Sequence, residues 1–523
     1  MATAAKLTET LPDRLAALIG SANVLTDEAE RRFHATDVYA AREVPDAVVR
    51  PGSVAELQAV VRAAADVGAP VVVRGGGASY TDGYLHARPG GITIDTCRLK
   101  DIAIDETNAT VTVGAGVTWA ELQTALASKG WRTPFWGPFS GLAATIGGSC
   151  SQNSISHGPG VSAESVVSFD IVTGTGDLLR TGSAGSKVGI PFFRFFGPDL
   201  TGLFTGDCGA LGVKASITLK MIRRREAFEA ASFSFASFDA MHAAMRAIAV
   251  ENIDDENFGL DAALQQGQIG RNESVGAKAG IAVKVMQSSG GFAKGVKALA
   301  KMAAAGDRDL KAATYAVHYL ADGVDAAEAK AKMAAIRRLA TPYGEEIANT
   351  VPTIVRGMPF APLSNILGPK GERWVPMHGM FAHERAPAFH AALSAFWDAN
   401  RAEMDALGIW NGAMFMAVGS TGFIYEPTFY WPDTRTAFHD RMLPDGHTET
   451  IPAYPENLPA RALVKRLKHE IVGLMTAHGA AHLQIGKVYP YLEGRNAPSV
   501  GLLRAIKAEL DPQGILNPGV LGL

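Results

Sequence analysis

Three glycine-rich stretches in the first half of the chain carry the residue types that surround a bound phosphate. They are VVVRGGGASYTDG from Val71 to Gly83, TIGGSCSQNSISHGPG from Thr145 to Gly160, and FTGDCGALGV from Phe204 to Val213. In the first, three valines read as a buried strand running into Arg74 and three glycines. The N–H groups exposed by such a turn form an anion-binding concavity, to which Arg74, Ser79 and Tyr80 add donors. One such turn is an ordinary strand end, whereas three in one half of a chain imply a single extended, phosphate-bearing ligand. The first stretch does not satisfy G-x-G-x-x-G, because Tyr80 takes the last glycine place after Gly75 and Gly77, and the GSAGSK run at Gly182 has the wrong spacing for a P-loop. A Rossmann nicotinamide site and an ATPase are therefore disfavoured.

The elements that must hold these turns are legible around them. Ser53 and Glu56 form a capping pattern ahead of VAELQAVVRAAADVG, a helix that delivers the chain through Gly68 to the valine strand. Thr118 and Glu121 cap a second helix, and SVVSFDIVTGTGDLLRTG reads as two strands joined by a Thr-Gly turn. Beyond about Ala227 strands alternate with amphipathic alanine-rich helices, FAKGVKALAKMAAAGD and DAAEAKAKMAAIRRLATPYG among them, and ERWVPMHGMFAH and NGAMFMAVGSTGFIYEPTFYWP read as strands. Helices at RALVKRLKHEIVGLMTAHG and SVGLLRAIKAEL precede the terminal DPQGILNPGVLGL.

At 523 residues the chain divides into two or three domains and can bury a large cofactor. A formal charge of −3 gives no field to recruit nucleic acid or an acidic membrane, which favours a small-molecule partner. Cys97, Cys150 and Cys208 form no CxxC, so neither a disulfide framework nor a zinc site is expected, and a reducing cytoplasm fits. The N-terminus reads as lacking a leader, and no long apolar run predicts a membrane span. Dimers being the commonest soluble assemblies, a homodimer is the default expectation.

The ordered series VVVRGGGASY, GAGVTWAELQTAL, AATIGGSCSQN, FGPDLTGLFTGDCGALGV and DPQGILNPG resembles the FAD-binding fold shared by vanillyl-alcohol oxidase, p-cresol methylhydroxylase and the glycolate oxidase and D-lactate dehydrogenase flavoproteins. The resemblance covers roughly residues 45 to 225 and 465 to 523. It implies an α+β architecture: a two-subdomain FAD-binding domain of the p-cresol methylhydroxylase type, discontinuous in sequence, with an inserted α+β cap over an antiparallel sheet. The expected divisions are residues 1–225, a substrate-binding cap at 226–460, and a segment at 461–523 returning to the FAD domain.

By the same resemblance Arg74, Gly75, Gly76, Gly77, Ala78, Ser79 and Tyr80 line the pyrophosphate. Pro138, Thr145, Gly147, Gly148, Ser149, Gln152 and Asn153 contribute along the pyrophosphate and ribityl groups, Gly209 to Val213 lie along the adenosine, and Asn517 sits close to the isoalloxazine. Relatives that attach FAD covalently through the first turn have His where this chain has Ala78, so FAD is expected non-covalently, with Cys150 or a cap histidine the remaining attachment points.

Substrate signatures are incomplete. The relatives' metal-binding histidines correspond here to His378 and His383, five apart on an extended run and hence on opposite faces, so no metal is assigned. Their Gly-Glu-His-Gly reads Ala480-Ala481-His482-Leu483, without the glutamate. The implied chemistry is hydride transfer from a hydroxyl-bearing carbon to flavin N5 while a base takes the O–H proton. His482 is the first candidate base and His378 the second. Glu426, Thr428 and Tyr430 share one strand face, which makes Tyr430 a candidate for binding a substrate oxygen. Arg356 is the candidate carboxylate clamp, and Tyr489 and Lys487 are further substrate contacts. The expected function is oxidation of an alcohol or 2-hydroxy acid, with oxygen, a quinone or a cytochrome as acceptor. The alternatives are oxidation of para-substituted phenols or benzylic alcohols, and flavin binding without turnover.

Overall fold

The computed structural model describes residues 10–155, 158–271, 313–348, 350–361 and 363–523. The expected helix at FAKGVKALAKMAAAGD and two residues of the second glycine stretch, Ser156 and His157, lie outside these residues.

Ser53 Oγ accepts from Glu56 N at 3.1 Å and starts the helix Val54–Ala65, whose apolar face buries Leu57, Val60 and Val61. Gly68, at φ +63°, turns the chain into the strand Val71–Arg74. That strand lies parallel to Ile92–Asp95, which also pairs with Ala47–Val49, and Val24–Leu25 closes the edge antiparallel. The other edge is taken by the C-terminal tail: Val71 N donates to Ile515 O and Asn517 N donates to Val71 O, both at 2.8 Å. A segment more than 400 residues away in sequence thereby becomes part of the first sheet.

The second sheet is antiparallel, in the order Ile102–Asp105, Thr110–Gly114, Val213–Lys220, Val166–Val172, Leu178–Arg180. The helix Trp119–Ala127 carries a complete capping box, with Glu121 N to Thr118 Oγ1 at 3.2 Å and Thr118 N to Glu121 Oε2 at 2.7 Å. Leu57, Val60, Val113, Phe169, Ile217 and Ile515 meet in one apolar core between the two sheets.

A larger antiparallel sheet stands over them. Its order is Glu345–Ile347, Ala227–Phe235, Tyr315–Gly323, Glu256–Asp261, Trp410–Val418, Gly422–Trp431, Arg373–Pro376, and Gly379–Ala382 also pairs with Gly422–Trp431. Period-two alternation sorts its faces. Phe415, Phe423, Tyr425, Phe429 and Trp431 point into a core closed by the helices Phe238–Glu251, Ala326–Ala340 and Ala386–Ala406, while Met414, Met416, Glu426, Thr428 and Tyr430 face the other way.

The division expected near residue 460 falls within the helix Leu458–Ala477. Leu463, Val464, Leu467, Ile471 and Met475 of that helix pack into the large sheet's core. Its apolar face is therefore matched to the cap, and the chain crosses back to the glycine turns only after His478. A buried arginine ties the layers together: Arg132, beside the second sheet, lies 3.4 Å from Asp322, which on the large sheet's own side is also held by Arg356, 2.6 Å from Asp322 and 3.0 Å from Glu256.

Candidate active site

The three glycine stretches converge. A Cβ on Gly75 would overlap Thr145 Oγ1 and one on Gly76 would overlap the Ala143 carbonyl, so the first turn lies on the loop leading into the second at a distance only glycine permits. The third stretch is tied to the second by Cys208 N to Ser151 O at 2.8 Å and Gly206 N to Cys150 O at 2.9 Å. Asn517 links the first and third, donating from Nδ2 to Gly83 O and Cys208 O, both at 2.7 Å, while its Oδ1 accepts from Lys487 Nζ at 2.6 Å.

A cavity of about 1040 Å³ opens between these turns and the large sheet. Gly75, Gly76, Gly77, Ala78, Ser79, Tyr80, Pro138, Thr145, Gly147, Gly148, Ser149, Gln152, Gly209 and Val213 all line it. The amides of Gly76, Gly77, Ala78 and Ser79 find no acceptor among the described residues, so four donors of the first turn are available to a diphosphate. The second stretch works differently from the first. Its amides are engaged internally, Ile146 N with Val117 O, Gly147 N with Ala115 O and Gly148 N with Thr145 Oγ1, at 2.8 to 3.1 Å. It therefore offers a surface without side chains rather than a set of donors. A large cavity with one donor-rich wall and one glycine wall fits a dinucleotide such as FAD.

Several expected site residues lie elsewhere. Arg74 does not line the cavity: its buried guanidinium stacks on Phe33 at 4.5 Å and sits beneath Gly77, supporting the turn from behind. Asn153, at φ +48°, turns its Oδ1 to Ala163 N. Asn517 braces the turns from outside the lining. Lys487 is drawn away by the Asp82, Leu85 and Asn517 oxygens, and Arg356 is neutralised by Asp322 and Glu256 and stacked on Trp136. Cys150 is fully buried behind the wall, where burial pushes its thiol up to about 12.

Both candidate histidines are also outside the lining. His482 stacks on Tyr489 at 4.1 Å with Nδ1 on His378 O, and His378 is buried with Nε2 on Leu483 O, its backbone N–H donating to Tyr489 Oη at 2.9 Å. Burial lowers both, His378 to about 4. These three rings form a packed brace between the strand break at His378 and the returning segment. His383 instead contacts His242, at 3.1 Å. Among the described residues no group of three or more His, Cys, Asp or Glu side chains is placed to hold a metal.

Glu426, Thr428 and Tyr430 do line the cavity together. Thr428 donates to Gly412 O at 3.2 Å, and Tyr430 stacks on Trp410 at 3.8 Å. Among the described residues Glu426 is the one acidic side chain on a largely apolar wall that includes Phe258, Leu260, Trp374, Met414 and Met416, and burial raises its carboxyl to about 8. Tyr80 faces it from the first turn, its phenol raised well above the usual value first by burial and then by the Glu426 charge. Gln484 Nε2 donates to Tyr80 Oη at 3.4 Å. Gln484, Trp374, Met414 and Met416 were not anticipated; the alternation of AMFMAV, with Phe415 inward to the core, is the signal that finds the two methionines.

Residues 45–182 match the FAD binding domain model, and residues 390–521 match that of the FAD linked oxidases' C-terminal domain. Among curated relatives, the chain is 32% identical over 206 residues to the mitochondrial D-lactate dehydrogenase [cytochrome] of Arabidopsis thaliana, covering 38% of this chain and 35% of that one. It is 29% identical over 228 residues to a glycolate oxidase subunit of Bacillus subtilis, covering 42% and 46%. The match thus spans about a third to a half of these relatives. Among solved structures, p-cresol methylhydroxylase superposes with a TM-score of 0.73 at 15% identity, covering 98% of this chain and 96% of that one. A 4-ethylphenol oxidase from Gulosibacter chungangensis gives 0.68 at 15% identity with the same coverage. With the nucleotide-sized cavity, the free amides of the first turn and both family models in chain order, this protein carries the FAD binding domain and the C-terminal domain of FAD linked oxidases, with the fold of p-cresol methylhydroxylase and FAD as its cofactor.

Proposed function

We propose that the protein oxidises the hydroxyl-bearing carbon of a neutral alcohol with an apolar, aromatic body, and that Glu426 is the base. FAD, when bound, supplies the two-electron acceptor for the hydride that leaves the carbon. The Glu426 carboxylate takes the hydroxyl proton. Tyr80, held protonated by its burial and oriented by Gln484, donates to the substrate oxygen. Trp374, Tyr430, Phe258 and the two methionines bury the body of the substrate and exclude water from the reacting carbon.

The observation that carries this reading is a carboxylate alone on an apolar wall. Among the described residues no arginine lines the cavity, and the one lysine that does, Lys214, holds Asp207 at 2.6 Å. A substrate carboxylate would meet no available lysine or arginine, His447 being the other basic side chain on the lining, and would face Glu426. The names of the lactate and glycolate relatives favour a 2-hydroxy acid, and this wall opposes it. Protein loaded with FAD and mixed without oxygen with benzylic alcohols, para-substituted phenols, D-lactate and glycolate tests the reading. Bleaching of the flavin band by the benzylic alcohols is expected; bleaching by the phenols or the hydroxy acids alone, or by nothing, contradicts it.

A further inference from the structure

The segment from Val188 to Leu200 exposes Val188 at 75%, Phe192 at 63%, Phe195 at 61% and Phe196 at 66%, with Ile190, Phe193 and Leu200 each near half-exposed. Seven large apolar side chains in thirteen residues form a contiguous patch that a lone surface residue does not. The patch is preformed. Ser183 Oγ accepts from Phe192 N at 2.9 Å and from Phe193 N at 3.0 Å and donates to Ile190 O at 2.7 Å. Arg194 pins the far side through Asp199 and the Ala163 carbonyl.

We propose that this ridge seats the protein on an anionic lipid surface, with the phenylalanines in the headgroup boundary and Lys187 on lipid phosphate. Charge selects the occupant. Arg194 and Asp199 neutralise each other, and Arg180 is shared with Asp170, so that among the described residues Lys187, at the start of the segment, has no ion-pair partner and the segment presents no unpaired carboxylate. A second copy docking ridge to ridge would bring Lys187 no acidic partner, whereas a phosphatidylglycerol headgroup supplies one. Exposed phenylalanines beside a cation are also suited to the bilayer boundary, where aromatic insertion and headgroup attraction act together. The net charge of −3 gives no long-range pull toward such a surface, so attachment rests on this ridge and Lys187 alone.

Co-sedimentation of the FAD-loaded protein with vesicles of phosphatidylcholine, with and without phosphatidylglycerol, tests this. Binding is expected only to the anionic vesicles, weakened about tenfold or more by F192S/F195S/F196S and reduced by K187E. Flavin content and turnover, whose residues lie elsewhere, should be unchanged in both variants and show that they fold. Absence of binding to either vesicle overturns the proposal. So does a wild-type dimer in light scattering that the phenylalanine substitutions dissociate, which would assign the ridge to a second copy.

Discussion

At the scale of single residues, chemistry rests on Glu426. The raised carboxyl makes it protonated in the empty cavity near neutral pH, so kcat/KM for a neutral alcohol should climb with pH and level off above about 8. Glu426→Gln should lower kcat by roughly 10²–10⁴-fold and abolish that rise. Stability gives an independent reading with a definite sign. The folded protein holds a proton on Glu426 between its usual value of 4.5 and about 8, so this residue's contribution falls as pH rises through that window. In FAD-free protein the Gln variant should therefore melt above the wild type beyond about pH 8 and alongside it below about pH 4.5, as differential scanning fluorimetry can show. Sequence alone marks Glu426 as cavity-facing through its period-two partners Thr428 and Tyr430. It cannot rank Glu426 above His482, because burial of the histidines against Tyr489 and Leu483 O is a long-range fact.

At the scale of elements, the first glycine turn and the C-terminal tail act as one unit. Gly76→Ala would drive a methyl group into the Ala143 carbonyl and should cost about 1–3 kcal/mol or more, with FAD lost on gel filtration. Asn517→Ala should strand the Gly83 and Cys208 carbonyls, at about 1–3 kcal/mol for each buried group left unpaired, and raise the FAD dissociation constant while leaving the cap core intact. The glycine turns, their capped helices and the hairpin at Trp410–Trp431 are legible in the sequence because each is specified locally. The placement of Leu458–Ala477 is not. Its apolar stripe reads as an amphipathic helix wherever it packs, and only the tertiary core assigns it to the cap.

For the whole molecule, function follows from two bodies meeting at a cavity: a donor-rich glycine floor that suits a diphosphate and an apolar sheet face bearing one carboxylate. The Arg132, Arg356, Asp322 and Glu256 cluster holds those bodies in register. The family and its cofactor are readable from ordered motifs, since backbone approach to a phosphate demands glycine in fixed places. Substrate choice is not, because it depends on where Arg356 and Lys214 find their carboxylates. The most direct measurement compares benzyl alcohol with mandelate, the same aromatic carbinol carrying a carboxylate, in anaerobic stopped-flow reduction of the FAD-loaded protein. Rapid bleaching by benzyl alcohol and little or none by mandelate is expected. Faster reduction by mandelate, or a protein that takes up no FAD, would contradict this reading.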